Sequence, residues 1–286
     1  MIVLEKDGLQ MLLQEPGEGL YLGTRFDRSG VFAALEREGV NYTERWNPSR
    51  DPFLHDNVCG PVDEFSAIGF EAAAPGEPFL KIGVGLLRRP DASPYDRFRL
   101  YEMADPGRWE VFSDGTTATF RHTLEGWCRY TKGIAVLSRN HFCIRHLLDA
   151  GRPLSGDTYN HHFFTLGKLS TGPGRLVGTD FAAAGEWRAP YESVVLERGG
   201  FRFRRSLEPG ETVYMGGIHA LSRLDTPYRF SLQEMENGCG VHISGNLPVD
   251  RAVFWANHRI ACIEPYVLFS LREGERFAYT LDYWLK

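Results

Sequence analysis

Apolar and polar residues alternate one by one along most of this chain, and that period leaves room for little except β-structure. Successive side chains of a strand point to opposite faces, so alternation buries one face and wets the other. Phe277, Tyr279, Leu281, Tyr283 and Leu285 share one face of the last segment, and Tyr228, Phe230 and Leu232 do the same. Leu80, Ile82, Val84 and Leu86 are predicted to share a face of one segment bounded by Gly76-Glu77-Pro78 and Arg88-Arg89-Pro90. Turn formers separate the segments at Ser113-Asp114-Gly115, Glu208-Pro209-Gly210, Asn237-Gly238 and Arg272-Glu273-Gly274. Residues 31–35 and 40–46, joined through Glu36 to Gly39, read as an early hairpin. No long 3.6-residue period competes, and the best helical candidates are short, such as Leu9–Leu13.

The 286 residues are 43% hydrophobic and 24% charged, ordinary for a globular protein with a substantial core. There is no internal repeat and no low-complexity linker. Stretches 151–157 and 170–180 are loop-like but too short to divide domains. The expectation is therefore one all-β domain over residues 1–286, a large antiparallel β-sandwich.

Net charge is −5 and no basic run or arginine stripe occurs, which argues against nucleic acid as a partner. Arg202-Phe203-Arg204-Arg205 alternates with phenylalanines and reads as a strand with one wet face. No window approaches the roughly 18 apolar residues of a membrane span. The N-terminus lacks a charged-then-apolar leader layout, so a cytoplasmic protein is expected. The five cysteines, Cys59, Cys128, Cys143, Cys239 and Cys262, are odd in number and lack the spacing of a zinc or redox motif. They are expected to be buried free thiols.

Spacing also argues against a metal. Adjacent His161 and His162 would face opposite ways on a strand, as would His141 and His146, and neither His-x-His nor His-Glu-x-x-His occurs. No Gly-x-Ser-x-Gly elbow is present, and Cys262 lies in an apolar run that should keep its thiol protonated. No phosphate-cradling loop follows Gly83 or Gly85. No cofactor is expected.

Two segments remain. Thr158-Tyr159-Asn160-His161-His162-Phe163-Phe164-Thr165-Leu166 sets a polar step into an aromatic strand. In Arg259-Ile260-Ala261-Cys262-Ile263-Glu264-Pro265-Tyr266 an apolar strand is expected to end on a carboxylate, with Pro265 stopping the pairing there. A charge at the end of a buried strand is costly unless paired or used.

Together these segments resemble the aldose 1-epimerase (galactose mutarotase) superfamily. Asn160-His161-His162-Phe163-Phe164-Thr165-Leu166 is similar to that family's Asn-His-x-Tyr-Phe-x-Leu motif, and Cys262-Ile263-Glu264-Pro265-Tyr266 to its late Leu-Glu-Pro motif. Leu271-Arg272-Glu273-Gly274-Glu275, followed by an aromatic strand to Tyr283, resembles its ending. The resemblance implies the galactose mutarotase-like supersandwich. It also implies a small-molecule carbohydrate ligand and an isomerase that interconverts the anomers of a free sugar or sugar acid by ring opening, with His161, protonated near neutral pH beside a carboxylate, as general acid and Glu264 as general base. Trp255 would be a platform for the C–H face of a pyranose, or a core tryptophan. The N-terminal half departs from the family: no Asn-Arg step matches, and His55 is the candidate for the missing histidine. Arg25, Asp63, Glu64 and Lys81 are candidates for contacting sugar hydroxyls or an acidic group, or are strand-edge charge. The same scaffold could instead carry another sugar-acid isomerase or lyase, or a carbohydrate-binding protein without catalysis.

Overall fold

A computed structural model describes residues 1–189, 191–221 and 228–286. Two large antiparallel sheets face each other. The first has ten strands, in spatial order Val194–Glu197, Gly200–Phe203, Arg175–Thr179, Arg229–Glu234, Gly240–Gly245, Arg276–Leu285, His141–Ala150, Cys128–Ser138, Thr117–Leu124 and Arg108–Ser113. The second has six, in order Ala183–Trp187, Thr212–Ala220, Arg251–Asn257, Ala261–Leu271, Leu154–His161 and Val62–Phe65. Two small sheets flank them: Ile2–Lys6, Leu9–Leu13, Phe32–Arg37 and Val40–Asn41 form one, and Pro78–Lys81, Gly85–Arg88 and Met103–Asp105 the other. Among the described residues there is no helix, hence none long and apolar enough to cross a membrane.

The core lies between the large sheets. Phe201 of the ten-stranded sheet stacks on Phe254 of the six-stranded one, ring centroids 4.0 Å apart. Alternation then assigns the faces. Ala252, Phe254, Ala256, Ala261, Ile263 and Val267 join the main core. Val253, Trp255, Cys262 and Tyr266, interleaved with them, pack into separate clusters on the other face. Loops carrying Tyr21, Phe26, Trp46 and Val58 cover that outer face and bury much of it.

Several sequence expectations change. Leu9–Leu13 is a strand, paired with Ile2–Lys6 on one side and Phe32–Arg37 on the other, because its five residues alternate in burial. Leu80 to Leu86 is a hairpin rather than one strand, with Gly83 at φ +74° in the turn. The early hairpin forms, but its second strand is only Val40–Asn41. The loop-like stretches contribute strands at Leu154–His161 and Arg175–Thr179. Arg202 is exposed between buried Phe201 and Phe203, and all five cysteines are free and buried.

Candidate active site

The strands Leu154–His161 and Ala261–Leu271 run side by side in register from Leu154 opposite Leu271 to Tyr159 opposite Tyr266. Continuing that count sets Asn160 opposite Pro265 and His161 opposite Glu264. Pro265 has no N–H to offer, and the ladder between these two strands lapses there. The strand itself does not stop, contrary to expectation. It continues through Pro265, which stays aligned with Ala252 on the other side. The opposed His161 and Glu264 side chains therefore meet on the outer face, Nε2 3.1 Å from Oε1, and both are buried.

After His161 the chain turns sharply. The N–H of Phe163 donates to the carbonyl of His161, and the N–H of Phe164 to that of His162, both at 2.9 Å. These three-residue turns fold Phe163 back so that its ring stacks on the His161 imidazole at 3.5 Å. Gly60 fits because it lacks a Cβ, which would lie 2.6 Å from the Phe163 nitrogen and 2.7 Å from the His161 oxygen. His162 points the other way. Its Nδ1 is 2.7 Å from the Ile263 carbonyl oxygen and its Nε2 3.3 Å from the Tyr283 hydroxyl.

His161 and Glu264 stand in the wall of a cavity of about 260 Å³, together with Arg25, Trp46, His55, Asp56, Arg97, Phe98, Phe163, Arg188, Tyr214 and Trp255. Burial raises the Glu264 carboxyl to about 7, against the pull of Arg25 and Arg97. Burial also pushes the His161 imidazole well below its ordinary value, and Arg25 adds to this. Below neutrality the proton of the pair thus rests on the carboxyl. A nearby carboxylate favours the protonated imidazole that a general acid needs at neutral pH; the carboxylate is there, but desolvation and the arginines outweigh it.

The other candidates divide. Arg25, His55 and Trp255 line the cavity with the pair. Asp63, Glu64 and Lys81 do not. Glu64 lies behind the wall, where it accepts from Arg25 Nε at 2.7 Å, from Lys81 Nζ at 3.2 Å and from the Tyr159 hydroxyl. Burial would raise its carboxyl, but Lys81, Arg25 and Arg97 hold it at about 2. Lys81 is wholly buried and also donates to the Phe65 carbonyl. Asp63, one residue along the strand, faces the opposite way. It lies between the large sheets, 2.6 Å from Lys132 and 3.1 Å from His146.

Sequence reasoning missed Trp46, Asp56, Arg97, Phe98, Arg188 and Tyr214. Arg97 and Phe98 sit in a polar, proline-bounded loop that reads as solvated surface, and only folding carries it over the sheet. Metal spacing rules also missed one group. The donor atoms of His161, Cys262 and Glu264 lie within 4.8 Å of one another, a ligand set that zinc accepts. Cys262 and Glu264 alternate on one strand face while His161 comes from another strand, so no local motif announces them. Burial keeps the Cys262 thiol protonated, and Arg25 stands beside the carboxylate, so the field opposes a cation.

No family model matches the chain, and no curated protein matches it. Solved structures do. The Slr1438 protein from Synechocystis aligns over 99% of this chain and 94% of its own, with TM-score 0.58 and 11% identity. A galactose mutarotase related enzyme from Lactobacillus acidophilus aligns over 99% and 96%, with TM-score 0.59 and 10% identity. The GalM/aldose epimerase homologue from C. elegans aligns over 100% and 98%, with TM-score 0.55 and 14% identity. These likenesses, with the two facing antiparallel sheets, show that the chain has the galactose mutarotase-like β-sandwich fold.

Proposed function

We propose that the protein is an aldose 1-epimerase-type isomerase that interconverts the anomers of a sugar by acid–base ring opening at His161 and Glu264. One observation above all supports this reading. Two buried titratable groups from neighbouring strands meet at 3.1 Å in the wall of a small-molecule-sized cavity. Mutarotation asks for such a pair. One group takes the proton from the anomeric hydroxyl while the other protonates the ring oxygen, and the ring bond breaks. The carbonyl carbon then rotates and the ring recloses on its other face. Both oxygens sit on one carbon, so acid and base can stand close together. The isomerisation is redox-neutral and transfers no group to a carrier.

The family resemblance casts His161 as acid and Glu264 as base, which requires the proton to pass from carboxyl to imidazole as the sugar binds. Trp255 offers an aromatic face to the ring, while Arg25 and His55 offer donors to hydroxyls. Glu64, held by Lys81, acts from behind the wall by fixing Arg25. Anomeric exchange measured by NMR across a sugar panel tests the reading. His161→Ala and Glu264→Ala are each expected to lower exchange by about 10²–10⁴-fold. If no sugar equilibrates faster with the wild type than with the double variant, the isomerase reading fails. Elimination on a uronide would use the same pair, and a chromophoric unsaturated product would mark it instead.

A further inference from the structure

We propose that the sugar carries an oxyanion, a carboxylate or a phosphate, at the end away from its anomeric carbon, and that Arg97 and Arg188 hold it at the cavity mouth. This rests on the reading of the His161–Glu264 cavity as a sugar site. Beside that cavity lies a second, open hollow of about 630 Å³. Arg97, Phe98, Arg188 and Tyr214 line both, so they form the seam between them. His161 and Glu264 line only the inner one. A ring with its reacting carbon against the pair therefore directs its far end at the two arginines.

Asp96, which lines the outer hollow, accepts from the N–H of Phe98 at 2.9 Å, and the seam between the two hollows is short of negative charge. Glu64 is faced by Arg25 at 2.7 Å, Lys81 at 3.2 Å and Arg97 at 4.0 Å, three cations on one carboxylate. Glu264, holding its proton below neutrality, offsets little of the excess. Asp56 is engaged by the Asn47 amide at 2.8 Å and by His55. Among the described residues no carboxylate comes within ion-pair distance of Arg188, whose guanidinium rests 4.4 Å over the Tyr214 ring.

The donors are also free to turn outward. The hydrogen bonds of Arg97 to the Tyr159 and Tyr266 hydroxyls, at 3.3 and 3.5 Å, both use Nη1. Nε and Nη2 have no protein acceptor among the described residues. The Arg188 side chain makes no hydrogen bond to them either. Hydroxyls need acceptors as well as donors, whereas a planar fork of N–H groups matches an oxyanion. Phe98 and Tyr214, the aromatic side chains of the seam, thin the water beside such a pairing and strengthen it.

Calorimetric titration with a neutral hexose, its uronic acid and its 6-phosphate, in gluco and galacto series, tests this. At least one anion is expected to bind roughly tenfold or more tightly than the parent hexose. Arg97→Gln and Arg188→Gln should each weaken the anion far more than the hexose and so remove most of that advantage. Comparison of acid with phosphate identifies the oxyanion. Equal binding of the three probes overturns the proposal, as does equal weakening of hexose and anion by the variants, or no saturable binding by any probe. Anomeric exchange in the same samples separates the two readings. Arginine-dependent anion binding without His161- and Glu264-dependent exchange leaves this proposal standing and removes the isomerase. Exchange of neutral sugars alone does the reverse.

Discussion

Glu264→Gln is expected to cost about 10²–10⁴-fold in anomeric exchange and, above neutral pH, to make the protein more stable. Both effects have one cause. The strand register forces a carboxyl into a buried position, and burial raises it from 4.5 to about 7. A raised acid binds its proton more tightly folded than unfolded. Its contribution is therefore favourable at low pH and is lost as pH climbs from about 4.5 to about 7. Ionising it in the folded protein costs on the order of 3 kcal/mol above that range. The amide escapes this cost, so denaturant unfolding should show the variant ahead by up to about 3 kcal/mol at pH 8 and by no more than about 1 kcal/mol at pH 5. An advantage that does not grow with pH would show that the carboxyl is not penalised. For the wild type, kcat/KM should fall as pH rises through about 7, because the pair then loses the one mobile proton it needs. A rise through the same range would instead mean that ionised Glu264 works beside a neutral imidazole.

Lys132→Met is expected to destabilise the protein by about 3–5 kcal/mol, the usual cost of removing one partner from a buried ion pair. Lys132 lies between the sheets, 2.6 Å from Asp63 and 3.3 Å from Asp27, all three essentially without solvent. Burial alone would lower its amine, but Asp63 and Asp27 outweigh burial and raise it. The network continues through Asn160, which donates to Asp63 and accepts from the Tyr279 hydroxyl. Asp27 in turn accepts from Tyr130 at 3.0 Å. Without the lysine Asp27 stays buried with no basic partner and Asp63 keeps only His146 beside it. Replacing Asp27 and Asp63 with asparagine in the same chain should recover part of the loss. A loss below about 1 kcal/mol in urea unfolding would show that water reaches the network.

That network marks where the sequence stops being readable. Alternation placed the last strand, with Tyr279, Leu281 and Tyr283 inward, because one face is almost wholly apolar. It also separated His161 from His162. It could not mark Val62–Phe65 as a strand, since Val-Asp-Glu-Phe does not alternate, and so gave no sign that adjacent Asp63 and Glu64 serve opposite faces of the sheet. Their partners, Lys132 and Arg25, come from distant segments that only the sandwich brings near. Leu80 to Leu86 read as one strand because a tight turn kept the apolar period, and Leu9–Leu13 was too short for either period to show. Glu264 was legible as a costly charge in an apolar run. Arg97 and Arg188 were not, since an arginine in a polar loop carries no mark of the surface it will cover.

The groups proposed to react and those proposed to recognise ride on parts of unequal tolerance. His161 and Glu264 are fixed by the register of two central strands, where a one-residue slip would turn both away from the cavity. Arg97 and Arg188 project from connecting segments at its mouth, which tolerate insertion and substitution. On the proposed roles, such a division would let descendants of one scaffold exchange their ligands by rewriting a few loop residues while inheriting the reaction unchanged.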